Sequence, residues 1–495
     1  MQGSSRASSI VVGRCQLNRP RTASSRHLVL TLIALSLVSS ACISARRTPN
    51  LEQIFASART RTGKRPVIVI PGILGTELIN SKTGETVWPS AFRTSQEGLP
   101  ISPNLAENRD DLVPGKILET VKLARVLPEI YVYRELIEAL RRYAGYRDGN
   151  WENPGPDGHQ DTFYVFPYDW RKDNVANARE LARRLERLKT KLQRPDLKFN
   201  VVAHSMGGLI ARYAAMYGDA DLPEGEGAIQ PSWPGAAHIS KIVMIGVPNE
   251  GSADAFATLI EGYSITEGLR RRIPLLNKLT AEDVVRTPAV FQLLPHRQAV
   301  KFLDENLQPI EVDLYDVEVW KRYGWSVLYS DDFRRRYAGA NGTDGDVEKL
   351  DAYLAATLRR ARRFHQALDA TENAASPVML LAIGGDCEET LNSPVILRDE
   401  KRNRWLTLTR PREFKTSTGV KITKKKVTEA MFAPGDGRVT RSSLLGETIF
   451  RARDAQTSFS LSRHAVFGCD LHGQLQRNKT LQDNALTAIV NEVMN

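Results

Sequence analysis

Three side chains in this sequence could between them break an ester. Ser205 stands in "FNVVAHSMGGLIARYAA" (199–215), where an apolar, β-branched run gives way through small residues to an Ala- and Leu-rich run with helical spacing. A serine hydroxyl is a poor nucleophile at neutral pH, so it needs a base, a carboxylate to orient that base, and donors for the oxyanion. Downstream, "APGDGRVTRSS" (433–443) sets Asp436 in a Gly-flanked turn, and "FGCDLHGQLQRN" (467–478) sets His472 ahead of a final helical stretch. Nucleophile, acid and base thus follow in chain order, and the chemistry they imply is acyl transfer through an acyl-serine.

A sharp strand-to-helix turn at Ser205 would lift its side chain clear of a sheet, and only small flanking residues fit such a turn. Ala203, Gly207 and Gly208 meet that demand. The arrangement resembles the nucleophile elbow of α/β-hydrolases, with Ala203 where a glycine is usual. Two competitors exist: Asp386, at a strand end in "AIGGDCEE", and His464, within "SFSLSRHAVFG". Asp436 is preferred as acid, and His472, opening the loop before the last helix, as base. His204 reads as a structural hydrogen-bonding residue. Oxyanion donors are expected from the backbone N–H of Met206 and of Ile73, the latter in the turn of "IVIPGILGTEL" (68–78). A tight turn chosen for packing alone is the other reading of that stretch.

These residues need elements to hold them. Short apolar or β-branched runs occur at 65–72, 162–169, 198–205, 239–248 and 377–385, and amphipathic helical spacing at 133–144, 177–192 and 481–494. Continuous apolar strands separated by helices imply an α/β fold: a mostly parallel sheet covered by helices on both faces. The core is assigned to 64–253 and 371–495. Residues 254–370 read as a largely helical cap or lid inserted into it, and 391–430 as a basic, extended hairpin. Phe256, Leu259, Ile260 and Tyr263 of the cap either line an acyl channel or form its packed underside.

The chain has 495 residues, 42% hydrophobic and 25% charged, with a net charge of +11. That is globular composition, and the charge is local. The first 41 residues hold five arginines and no acid, leaving 11 − 5 = +6 for the remainder, concentrated in 401–426. A solvated face or an anionic lipid headgroup surface accounts for such a run; nucleic acid fits poorly. "HLVLTLIALSLVSSAC" (27–42) reads as a secretory signal over 1–41, followed by a linker over 42–63. Its ending resembles a bacterial lipoprotein signal with Cys42 as the lipidated residue. The expected location is therefore an exported, membrane-anchored lipoprotein, or a secreted protein if cleavage occurs without lipidation. Cys387 and Cys469 are the thiols left in the exported body, a candidate disulfide or two separate buried thiols. No metal or nucleotide cofactor is indicated: no His/Cys ligand spacing occurs, and "PGILGTE" lacks the lysine of a phosphate-binding loop.

The blocks "VIVIPGILGTEL", "FPYDWRKDN" (166–174), "VVAHSMGGLIARY", "GDGRV" and "HGQLQRN", in this order, resemble the lecithin:cholesterol acyltransferase family of α/β-hydrolases. The resemblance spans 66–495, loosely over 254–370 and hardly at all over 391–430. It implies Ser205, Asp436 and His472 as the triad, Ile73 and Met206 as oxyanion donors, and Asp169, Trp170 and Leu74 as substrate-binding residues. It also implies an ester-bond acyl transfer on lipid, phospholipid foremost, with the acyl group passed to an alcohol or to water.

Overall fold

Runs of buried β-branched residues build the sheet that carries the site. The computed structural model describes residues 48–89, 111–121, 130–223, 225, 227, 229–264, 278–296, 299–338, 344–370, 376–451 and 461–491. The leader 1–41 and Cys42 lie outside the described residues. Seven strands form the main sheet: β1 (Val67–Ile70), β2 (Arg147–Asp148), β3 (Thr162–Val165), β4 (Phe199–His204), β5 (Ile239–Ile245), β6 (Met379–Gly384) and β7 (Leu461–Val466). Their spatial order is β7-β6-β5-β4-β1-β3-β2, and every neighbouring pair is parallel. Such a sheet must be covered on both faces, and every residue of β1 and β4 is buried. This is the α/β-hydrolase class of architecture.

Alternation along the strands sorts their side chains between two cores. Ile68, Ile70, Val201, Ala203 and Met244 pack with helix α1 (Asn174–Lys191) and helix α2 (Met206–Tyr217). Val67, Val69, Val202, Val243 and Ile245 point the other way, onto Leu136, Ile137, Leu486 and Ile489. The chain proceeds from β1 to β3 on one side and to β4 on the other. The carboxyl ends of β1 and β4 therefore flank the point where strand order reverses, and a crevice opens there in such sheets.

The stretch 254–370 contains helix α3 (Ala253–Glu261), the helices Ala281–Val285, Pro288–Phe291, Val317–Tyr323 and Asp331–Ala338, and the long helix α4 (Asp344–Leu368). It is not purely helical. Phe302–Leu303 and Pro309–Ile310 pair, and Leu303 pairs with Val395, so the stretch shares a four-stranded sheet with Val395–Asp399 and Arg404–Leu408. Two-residue strands carry too little pattern to read from sequence. Phe256 and Leu259 sit in the same packed cluster as Phe302, Trp320 and Trp325, which makes them underside rather than channel wall. Residues 391–430 are more than one hairpin: Val395–Asp399 with Arg404–Leu408, Phe414–Lys415 with Lys421–Ile422, then helix α5 (Lys424–Met431), N-capped by Thr423. Among the described residues no helix is long and apolar enough to cross a membrane.

Candidate active site

Ser205 ends β4 and caps α2 with φ +52° and ψ −130°, a backbone conformation that a residue with a side chain rarely adopts. Two contacts show why small residues surround it. A Cβ on Gly208 would lie 2.2 Å from Val247 Cγ2, and a Cβ on Gly72 would lie 2.8 Å from Ser205 Cβ. The turn after β1 is thus pressed against the serine. Ser205 N–H donates to the Ile245 carbonyl at 2.8 Å, tying the turn to β5.

The two downstream residues converge on this turn. His472 Nε2 lies 2.9 Å from Ser205 Oγ, and His472 Nδ1 lies 2.8 Å from Asp436 Oδ2. A carboxylate only accepts, so Nδ1 carries the proton and Nε2 is left to accept from the serine hydroxyl. Asp436 Oδ1 accepts from the backbone N–H groups of Arg438 and Val439 at 3.1 and 2.8 Å. The His472 N–H donates to the Asp436 carbonyl at 2.8 Å, which fixes the base to the acid through the main chain as well. All three side chains are buried. Asp386, at the end of β6, and His464, exposed on β7, are not part of this chain of bonds.

The loops that present the acid and base are joined covalently. Cys387 and Cys469 form a disulfide with Cα atoms 5.0 Å apart. Cys387 precedes the strand Glu388–Leu391, which pairs antiparallel with Phe432–Gly435, the strand that delivers Asp436; Cys469 lies three residues before His472.

Asp169, Trp170 and Leu74, expected from the sequence as substrate-binding residues, are each held by hydrogen bonds within the protein. Trp170 is fully buried and its indole N–H donates to the Thr76 carbonyl at 3.1 Å. Asp169 is buried against Arg171, whose Nε and Nη2 donate to its two carboxylate oxygens at 2.8 and 2.7 Å. A charge so deep persists only when paired in this way. Leu74, also buried, has φ +63° and its carbonyl accepts from the Trp88 indole at 3.0 Å. Leu74 and Trp170 are thus part of the frame of the turn after β1, with the Asp169–Arg171 pair beside Trp170 in the chain. Tyr168 completes that frame by donating to the Pro71 carbonyl at 2.9 Å. Ile73 is half-buried in this turn, and Met206, fully buried, opens α2, where the first helical amides have no intrahelical partner.

Tyr133, Tyr168 and Trp88 were not singled out by sequence. Their partners lie 61, 97 and 14 residues away, and only Tyr168 falls inside a motif block. A separate cavity of about 680 Å³, lined by His296, Phe302, Ile310, Asp313 and Tyr315 among others, contains none of the three converging residues.

Several solved structures resemble the chain. The "Tle4-Tli4 complex" gives a TM-score of 0.48 at 14% identity over 87% of this chain and 99% of the other. The Bacillus licheniformis lipase BlEst2 in mature form gives 0.29 at 12% over 86% and 92%, and EstA from Clostridium botulinum 0.32 at 13% over 88% and 90%. These scores are low, and the fold rests on the strand order above. No curated protein matches the sequence. The family model of lecithin:cholesterol acyltransferase matches residues 128–333, a stretch that includes Ser205, Asp169 and Trp170 and leaves Ile73, Asp436 and His472 outside. Residues 128–333 are thus similar to the lecithin:cholesterol acyltransferase family, and that match supports an ester-acting enzyme, a lipid acyl hydrolase or acyltransferase.

Proposed function

We propose that this protein is a serine-dependent acyltransferase or acyl hydrolase of ester lipids, phospholipids foremost, working through an acyl-serine at a membrane surface. The observation that carries the reading is the buried chain Ser205–His472–Asp436 with bonds of 2.9 and 2.8 Å. His472 Nε2 takes the Ser205 proton as Oγ attacks the ester carbonyl, and Asp436 stabilises the imidazolium that forms. The oxyanion is received by the Ile73 and Met206 N–H groups. The tetrahedral adduct collapses to the acyl-serine as His472 returns the proton to the departing alcohol. An acceptor alcohol or water, deprotonated by His472, then attacks the acyl-serine, and Ser205 regains its proton. A dry site favours the alcohol.

Two features support work at a lipid surface. Residues 391–430 hold eleven Lys and Arg against four acids, and Trp405 and Val420 among them are exposed. Basic and aromatic side chains together suit an anionic headgroup layer. The leader and Cys42 suit an exported, lipid-anchored protein at the periplasmic face or cell surface, or a secreted one without the anchor.

The test is incubation of the purified protein with labelled phosphatidylcholine vesicles, with and without a sterol or fatty alcohol. New ester dependent on Ser205 identifies an acyltransferase, and free fatty acid alone a phospholipase. Release of short-chain acids only would identify a carboxylesterase or lipase, and no product from any ester would leave a lipid-binding protein on a hydrolase fold.

A further inference from the structure

Behind the nucleophile runs a second chain of hydrogen bonds. Gly72 N–H donates to the Tyr133 hydroxyl at 2.7 Å, and that hydroxyl lies 2.8 Å from His204 Nδ1. His204 Nε2 lies 3.2 Å from the carbonyl oxygen of His472. The direction of every proton follows from donor and acceptor capacity. A carbonyl accepts, so His204 carries its hydrogen on Nε2; its Nδ1 is then an acceptor, and the tyrosine hydroxyl must donate to it. The phenol oxygen is thereby free to accept from Gly72. Tyr133 is 2% exposed and His204 6%, so water does not compete for these groups. Burial also holds the Tyr133 phenol well above its usual range and the His204 imidazole well below its own, the latter with help from His472, so both stay neutral.

This chain joins the two parts of the site that must hold still relative to each other. At one end is the turn whose next residue, Ile73, supplies an oxyanion amide; at the other is the backbone of the base. The Gly72 amide is spoken for by Tyr133, which leaves the following amide to receive the oxyanion. When Ser205 gives its proton to His472, the new imidazolium stands 4.8 Å, centroid to centroid, from the His204 ring. A neutral His204 adds no like charge there.

We propose that Tyr133 is a positioning residue for the acyl-transfer reaction: its hydroxyl locks the oxyanion turn at Gly72 to His204, and through His204 to the backbone of His472. The inference rests on the acyl-serine reading and adds a residue to it. Aromatic donors hold carbonyls elsewhere in the same turn, from Tyr168 to Pro71, Trp88 to Leu74 and Trp170 to Thr76. Tyr133 differs from them in reaching both the turn and the base.

The experiment compares full-length wild type, Tyr133→Phe, His204→Gln and the double variant. It reads kcat and KM on a soluble p-nitrophenyl ester, the rate of Ser205 phosphonylation by a p-nitrophenyl alkylphosphonate, and Tm. The expected result for Tyr133→Phe is a fall of about tenfold or more in kcat and in phosphonylation rate with KM within about twofold, since misplacement of the site affects the transition state. His204→Gln should fall similarly, and the double variant about as far as the larger single, because the two act as one unit. A Tm loss with kcat kept would make Tyr133 a packing residue, and a raised KM with kcat kept would make it a substrate contact. Independent, multiplying losses would break the unit apart, and each of these three results overturns the proposal. If Tyr133→Phe does not fold, His204→Gln carries the same kinetic criterion. Absence of a Ser205 adduct in wild type would instead overturn the acyl-serine reading, and the positioning role with it.

Discussion

Asp436 uses both carboxylate oxygens, one on two backbone amides and one on His472 Nδ1. In Asp436→Asn the two amides hold the carbonyl oxygen of the new side chain, so its NH2 group faces Nδ1 and drives the imidazole proton to Nε2. The base then presents N–H to Ser205 and cannot accept. The expected outcome is a loss of about 10³- to 10⁴-fold in kcat with little change in fold, read by ester kinetics and circular dichroism. Ser205, Asp436 and His472 were legible because each sits in a pattern that chemistry demands: a small-residue turn after a strand, a Gly-flanked acid, a histidine before a helix. Asp169 and Trp170 were legible as a block, but their hydrogen-bond partners were not, because a motif marks residues and only the fold shows what they touch. Tyr133 left no local mark, since its whole role is one hydroxyl placed by the fold against a residue 61 positions away.

At the scale of elements, the strands that read as continuous apolar runs are the central ones, where both faces are buried. Val67–Ile70, Thr162–Val165, Phe199–His204, Ile239–Ile245 and Met379–Gly384 all lie within the runs read from sequence. The two edge strands were not legible. Arg147–Asp148 is two exposed charged residues, and Leu461–Val466 has no buried residue to give it a pattern. The loops beyond β6 and β7 lie at this less legible end of the sheet, and the disulfide secures them. It closes a sequence separation of 82 residues and ties the loop that follows β6 to the loop holding His472. Replacing Cys387 and Cys469 with serine is expected to lower stability by about 2–4 kcal/mol, seen as a lower Tm and a lower denaturant midpoint. A midpoint equal to that of wild type would show that the strand pairing of Glu388–Leu391 with Phe432–Gly435 suffices on its own.

For the molecule as a whole, stability should depend on pH through histidines that the fold keeps neutral. Burial, with a neighbouring imidazole in each case, holds His204 and His365 well below the ordinary value of 6.5, and Arg212 adds to the effect on His365. Below about pH 6.5 the unfolded chain takes up protons at both rings that the folded chain refuses. Stability therefore falls with pH, by at most about 1.4 kcal/mol per unit for each histidine. Glu250, raised from 4.5 by burial, works the other way at lower pH, because the folded chain keeps its proton longer than the unfolded chain does. The expected observation is a lower Tm at pH 5.5 than at 7.5. His365→Leu should reduce that difference, since the ring nitrogens of His365 make no hydrogen bond among the described residues. Across the molecule the central claim remains the nucleophile at the end of β4. The most direct measurement is peptide mass spectrometry of the protein after reaction with a p-nitrophenyl alkylphosphonate, run beside ester turnover by Ser205→Ala. A single phosphonyl adduct on Ser205, together with turnover at background in a folded Ser205→Ala, is the expected result. An adduct on another residue, or turnover retained without the Ser205 hydroxyl, would contradict it.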